Sequence, residues 1–130
     1  MRDDPVAEVL DNLMKFDEIL ACMVARRGMI DSVMPSSGTD SFKDEIYEVW
    51  DVLKRTMDSQ LSVISEFSRI DLKKIDFELQ EFDAMFYVIP ETENALVAIV
   101  PALANKGLID VELERARLKI YDLLKEENNQ

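Results

Sequence analysis

Residues 74–82 read KIDFELQEF, and this stretch decides how the fold is predicted. From Lys74 to Gln80, apolar and polar residues alternate strictly. Such alternation predicts a strand with one buried face, because successive side chains of a strand point to opposite sides of the sheet. A half-buried strand usually lies at the margin of a sheet, where one row of backbone groups can lack partners. The stretch therefore predicts an edge that solvent, charge or another chain must cover.

The rest of the chain supplies four more strands and three helices. Segments 19–25, 84–89 and 95–100 are apolar throughout, which predicts strands covered on both faces. Arg27 and Gly28 predict a tight turn that leads into a strand over 29–34. Asp4 with Pro5, and Ser41, have the character of helix starts. The predicted helices cover residues 5–16, 41–67 and 108–125.

The element order is α-β-β-α-β-β-β-α. Short turns between consecutive strands predict antiparallel pairing. We therefore expect an α+β fold: a five-stranded antiparallel sheet with helices on both faces. We expect one domain over residues 1–130, with its core at about 5–125 and a polar C-terminal tail that frays.

Composition argues against most classes of enzyme. The chain has no histidine, and its three glycines are far apart, so histidine-based catalysis and glycine-rich phosphate loops are not expected. A net charge of −12 argues against nucleic acid, and the longest apolar run, 95–104, is too short to span a membrane. The single cysteine, Cys22, favours a reducing cytoplasm and a buried apolar role. No enzyme activity, cofactor or metal is expected.

Three stretches resemble the roadblock family, the dynein light chain and Ras-like GTPase regulator domains. They are the hairpin ACMVARRGMIDSVMP at 21–35, the long amphipathic second helix, and ALVAIVPALANKGLIDVELERA at 95–116. The last stretch contains an N-x-G motif at Asn105 and Gly107, just before the final helix. A helix cap and a backbone turn also explain these two residues. The resemblance covers about residues 5–125, and the element order matches throughout.

The resemblance implies a non-catalytic module that forms a homodimer, or a heterodimer with a second roadblock-like chain, and that regulates or scaffolds a small Ras-like GTPase. In the family the third strand pairs with its copy, and the second helices pack side by side. The alternative is a heterodimeric scaffold subunit of a larger assembly without GTPase dependence. A third hypothesis is a small-molecule sensor or enzyme that uses carboxylates or an oxygen-ligated cation. The candidate dimer-interface residues are Lys74, Ile75, Asp76, Phe77, Glu78, Leu79, Trp50, Leu53 and Met57.

Several candidates keep a simpler interpretation. The polar residues of the edge strand are Lys74, Asp76, Glu78 and Gln80. They fit a solvated face whose charges block aggregation as well as they fit dimer pairing. Trp50 and Met57 fit the core better than an interface, although interfaces also favour these residue types. The candidate GTPase contacts are Glu48, Asp51, Arg55 and Asp58. Together with Asp44, the three acidic members have a spacing that could hold a divalent cation, although a solvated helix face is the better explanation.

Overall fold

The computed structural model describes the backbone of residues 5–26, 29–35 and 43–128, and the side chains of residues 5–26 and 45–126. Within these ranges the α+β class predicted from the sequence is confirmed. The elements are α1 (Pro5–Leu13), β1 (Ala21–Arg26), β2 (Met29–Pro35), α2 (Lys43–Arg55), α3 (Met57–Phe67), β3 (Lys74–Glu78), β4 (Phe82–Val88), β5 (Ala95–Pro101) and α4 (Lys106–Asn128). A short 3₁₀ helix, Ser68–Ile70, follows α3.

The strands form one antiparallel sheet in the order β2-β1-β5-β4-β3. The apolar strands β1, β4 and β5 lie in its interior, and β3 lies at one edge, as the alternation predicted. Every residue of β4 is buried, whereas β3 alternates between exposed and half-buried residues. The amphipathic strand therefore ends the sheet because only one of its faces has apolar side chains to bury.

Helices cover both faces of this sheet. Helices α1 and α4 pack with Cys22, Val24 and alternate residues of β4 and β5. Helices α2 and α3 pack against the opposite face, which presents Met23, Phe86 and their neighbours. Side chains of one strand alternate between the two cores because the pleat directs them to opposite sides.

The second helix differs from the single helix predicted over 41–67. It is interrupted at Thr56, whose φ of −102° and ψ of 6° depart from helical values. The Thr56 hydroxyl donates a hydrogen bond to the Val52 carbonyl oxygen at 2.9 Å. A threonine hydroxyl that bonds back to the preceding turn often bends a helix. The backbone bond is retained, since the Thr56 N–H donates to the same Val52 oxygen at 3.0 Å. The proposed Ser41 cap lies outside the described residues, as does the predicted turn at Arg27 and Gly28.

Four predicted boundaries were also wrong. Helix α1 ends at Leu13 instead of residue 16, and β3 is shorter than the predicted 72–81. The β3–β4 turn does not lie near Phe82 and Asp83, because both residues belong to β4 and are buried. It lies just before them, where the Leu79 N–H donates to the Phe82 carbonyl oxygen at 2.8 Å. Helix α4 runs past the predicted end at residue 125 to Asn128.

No helix in the described ranges combines the length and the apolar character that crossing a bilayer requires.

Candidate interaction surface

One edge of β3 presents backbone groups that the described sheet does not pair. The Leu79 N–H donates to Phe82, and the Val88 N–H donates to the Lys73 carbonyl oxygen at 2.9 Å. In an antiparallel pair, hydrogen-bonded residues alternate with residues whose N–H and C=O groups point away. The backbones of Ile75 and Phe77 therefore face β4, and those of the intervening residues of β3 face outwards. This outer edge consists of the N–H and C=O groups of Lys74, Asp76 and Glu78.

An apolar groove of about 480 Å³ runs between this edge and helices α2 and α3. Val49, Val52 and Leu53 contribute its helical wall, and Phe77 and Leu79 contribute its strand wall. A second apolar hollow adjoins it, lined by Val63, Phe67, Leu72 and Ile75, and shares Phe77 and Gln60 with the groove. Val52 is 44% exposed and Phe67 is 49% exposed, so apolar area that the chain does not bury itself continues from α2 to α3.

The predicted interface residues separate into two groups. Trp50, Leu53 and Met57 are buried in the chain's own core beneath α2 and α3. Their large apolar side chains are covered without a partner, which agrees with the core interpretation of Trp50 and Met57. Ile75 and Phe77 are half-buried against the same core, and Leu79 is 45% exposed. The Phe77 ring contacts the Phe86 ring edge-on, with centroids 5.7 Å apart.

The polar face of β3 is exposed, as the solvated-face interpretation expects, and it also makes contacts within the chain. Lys74 Nζ lies 3.3 Å from Asp110 Oδ1 of α4, and it lies over the Tyr87 ring. The Tyr87 hydroxyl donates to the same Asp110 oxygen at 2.7 Å. The strand is thereby tied to the start of α4 on the face opposite the groove.

A second polar contact lies beside the first. Lys106 Nζ lies 2.9 Å from Oδ2 of Asp83, a carboxylate that is 1% exposed. Asp76 shares a hydrogen bond with Asp83, and Glu78 is directly opposite Asp83 in the β3–β4 register. Burial first, and then the hydrogen bond and charge of Asp83, raise the pKa of Asp76. The bond to Asp83 raises the pKa of Lys106, because it favours the ammonium form.

Asp76, Glu78 and Asp83 are the one group of carboxylates within the described ranges whose oxygens lie close enough for a shared cation, all within 4.8 Å of one another. The Lys106 ammonium already supplies positive charge there. Of the acidic ridge considered from the sequence, the Asp44 side chain lies outside the described residues. The group near β3 was missed from the sequence because Asp83 looked like a turn residue.

The candidate GTPase contacts lie on the outer surface of α2 and α3. Glu48, Asp51, Arg55 and Asp58 are all exposed. Arg55 Nε and Asp51 Oδ2 form an exposed ion pair at 3.2 Å, one helical turn apart. Glu48 also lines the groove, so it is the member that joins this outer surface to the β3 edge.

The sequence argument missed the residues that give the groove its apolar character. The apolar stripe of the predicted second helix includes Val49, Val52, Val63 and Phe67, which are not among the interface candidates named from the sequence. The available signal was the width of that stripe, which exceeds what one sheet face can cover.

The arrangement provides a strand edge for backbone pairing and an apolar groove beside it. These are the two features that an added strand from another chain uses when it binds a sheet edge.

No protein-family model matches the sequence, and no curated protein matches it. Solved structures do resemble it. Myxococcus xanthus MglB superposes with a TM-score of 0.74 at 11% identity, covering 97% of this chain and 99% of that chain. A structure of MglB with a tetrameric arrangement gives a TM-score of 0.70 at 13% identity, covering 97% and 94%.

A Roadblock/LC7 domain from Streptomyces avermitilis gives a TM-score of 0.66 at 12% identity, covering 95% of this chain and 99% of that chain. Likeness at this level of identity concerns the fold alone, and it extends over nearly the whole length of each chain. The chain therefore has the roadblock-family fold.

Proposed function

We propose that the chain is a non-catalytic interaction module that pairs with a second copy of itself through β3 and the adjoining groove, and that the paired module regulates or scaffolds a small Ras-like GTPase. The observation that carries the proposal is the outward-facing backbone of β3 beside exposed apolar residues of α2 and α3. An open strand edge is a hazard when it is left uncovered, and a strand from another chain satisfies its hydrogen bonds.

Pairing would solve two problems at once. Antiparallel addition of a second β3 satisfies the N–H and C=O groups of Lys74, Asp76 and Glu78. The same approach brings the second copy towards the groove, where Val52 and Leu79 have about half of their area exposed to solvent. A two-fold axis makes the contact self-complementary, since each copy offers the same edge and the same apolar wall. The tetrameric arrangement named for one MglB structure supports self-association within this fold.

The GTPase part of the proposal rests on the resemblance to the roadblock family. Two copies side by side would present two sets of Glu48, Asp51, Arg55 and Asp58 on one surface. Such a surface acts by differential affinity: a partner that binds one nucleotide state better is shifted towards that state. The exposed charges provide selectivity and a salt-dependent association rate more than raw affinity.

Molar mass in solution tests the pairing, measured by light scattering after size exclusion over a range of concentrations. One chain has a mass of 15.0 kDa, so the expected result is twice that value. Val52→Arg places a charge in the groove and is expected to give the single-chain mass. Val111→Arg is the matched control, because Val111 is similarly exposed but lies on α4. Equal effects of the two substitutions would contradict the groove as the interface, and a stable complex with only a different roadblock-like chain would favour the heterodimeric scaffold.

Binding to purified Ras-like GTPases from the same genome tests the second part. Each GTPase is loaded with GDP or with a non-hydrolysable GTP analogue, and affinities for the wild-type chain are compared. We expect at least one GTPase to bind one nucleotide state more tightly, and charge reversal at Asp51 and Asp58 to weaken that binding. Glu66→Lys, an exposed charge reversal on α3 outside the candidate set, is the control. Affinities independent of nucleotide for every GTPase would contradict regulation.

A further inference from the structure

The register in which two copies of β3 can pair is restricted by the side chains of the strand. Because the outward backbone belongs to Lys74, Asp76 and Glu78, hydrogen-bonded pairing must join these residues to one another. A two-fold axis through the midpoint of β3, Asp76, pairs all five residues of the strand with their counterparts. An axis shifted to Ile75 or Phe77 leaves one end of the strand opposite residues outside it.

Charge and apolar matching favour the central register. It places Lys74 opposite Glu78 of the second copy, twice per dimer, and Ile75 opposite Phe77 on the groove face. An axis at Phe77 would instead place Asp76 opposite Glu78 twice. An axis at Ile75 would keep opposite charges, since it places Lys74 opposite Asp76 twice, but it would put Phe77 opposite Lys73. Apolar matching therefore decides against the axis at Ile75. Opposite charges and apolar pairs directly across a ladder stabilise it, and like charges destabilise it.

The central register carries one unfavourable contact, which lies on the axis itself. Asp76 meets Asp76 of the second copy as a hydrogen-bonded pair, where opposed Cα atoms lie about 5.5 Å apart. We propose that two copies of β3 pair about Asp76, and that the charge on this residue opposes self-association, so that the dimer takes up protons as it forms. This inference rests on the proposed pairing through β3. It specifies the register of that pairing and its regulation by protonation of Asp76.

The surroundings of Asp76 support the proton linkage. Asp83 of β4 and Glu78 of β3 add negative charge, while Lys106 of α4 opposes it. Lys74 and Asp110 form the neighbouring ion pair, and they largely offset each other. The pKa of Asp76 is already raised within one chain, chiefly by burial. A second carboxylate across the axis raises it further, so the dimer holds protons that the separate chains release.

The sign follows from this difference. A carboxyl group whose pKa is higher in the dimer binds more protons there, so association strengthens as the pH falls through the raised value. The chain has no histidine, which is the side chain that ordinarily titrates between about pH 5 and 8. Among the side chains, a carboxyl group with a raised pKa is therefore the expected source of a pH dependence of the dissociation constant between the usual aspartate range and neutral pH.

Asp76→Asn tests the charge, because asparagine keeps the shape and removes the repulsion. We expect roughly fivefold tighter self-association near neutral pH, and little change of the dissociation constant with pH. Asp122→Asn is the control, since it makes the same substitution and the same change of net charge at an exposed position near the end of α4. Sedimentation equilibrium at several pH values measures both. Equal behaviour of the two variants would overturn the role of Asp76.

A mixing experiment tests the register. Lys74→Glu and Glu78→Lys each create two like-charge pairs, and each alone is expected to weaken self-association roughly tenfold or more. Mixed together, the two variants restore both opposite-charge pairs, so a heterodimer forms. Defects within each chain, such as loss of the Lys74–Asp110 ion pair, persist in the mixture and cannot explain the restored association.

The outcomes separate this inference from the proposed function. A wild-type dimer combined with no heterodimer in the mixture would overturn the register and leave pairing through the groove in place. Wild-type chain and Asp76→Asn that both remain single at every concentration and pH would overturn the proposed pairing together with the inference. Restored mass in the mixture, with tighter self-association of Asp76→Asn, supports both.

Discussion

Truncating Phe77 to alanine separates the contribution of this ring to the single chain from its contribution to the dimer. The ring is half-buried and contacts Phe86 at 5.7 Å with an interplanar angle of 74°. Half-burial of an aromatic side chain contributes about 1 kcal/mol, and an edge-to-face ring pair contributes about 1 kcal/mol more. The site opens onto the groove, so truncation leaves no closed cavity. We therefore expect a loss of about 2 kcal/mol in the free energy of unfolding, below the ~3–5 kcal/mol of a fully buried phenylalanine.

Urea denaturation at low protein concentration, where the chain is single, measures this value. A loss of that size lowers the urea midpoint by about 1 M for a domain of ordinary cooperativity. Leu79→Ala is the matched control, since Leu79 lines the same groove, is 45% exposed and makes no ring contact. We expect it to cost about half as much or less. A Phe77→Ala loss below ~0.5 kcal/mol, or one equal to that of Leu79→Ala, would refute the packing argument.

Three further predictions concern the rest of the chain. Gly107→Ala is expected to stabilise the fold by about 0.5 kcal/mol, because a Cβ there would meet only Asn105 Oδ1 at an ordinary 3.6 Å. Asn105→Ala removes the cap on the Leu108 N–H and is expected to cost about 1 kcal/mol of stability. In thermal melts, a destabilising Gly107→Ala or a stabilising Asn105→Ala would contradict the interpretation of N-x-G as a helix cap and turn. Burial raises the pKa of Cys22 to about 12, so Ellman's reagent should modify it only after unfolding, and rapid native labelling would contradict this. Asp83→Asn removes a hydrogen bond and a charge from Asp76, so the Asp76 pKa should fall part of the way to its ordinary value in a carboxyl-carbon NMR titration; an unchanged pKa would show that burial alone raises it.

The sequence predicted those features that depend on local periodicity. Strict alternation at 74–80 identified an edge strand, and the apolar segments at 84–89 and 95–100 identified interior strands. Each pattern reflects how many faces of a strand are buried, which is a property of the strand itself. The same argument did not identify the groove, whose signal was the apolar width of the second helix.

Features that depend on tertiary proximity could not be predicted. The interruption at Thr56 is a separate, local case: threonine is common within helices that are not interrupted, so the residue alone gives no signal. Asp83 looked like a turn residue, yet it is buried because Lys106, distant in sequence, supplies an ammonium group. The contact of Lys74 with Asp110 likewise joins residues 36 positions apart. Sequence spacing carries no information on such pairs.

Amide hydrogen exchange along β3 tests the central claim most directly, because it reports whether another strand covers the edge. The N–H groups of Ile75 and Phe77 face β4 and should be protected at every concentration. Those of Lys74, Asp76 and Glu78 face outwards, and we predict fast exchange in dilute solution and strong protection at concentrations where the mass doubles. Fast exchange at these three amides in a sample of doubled mass would contradict pairing through β3.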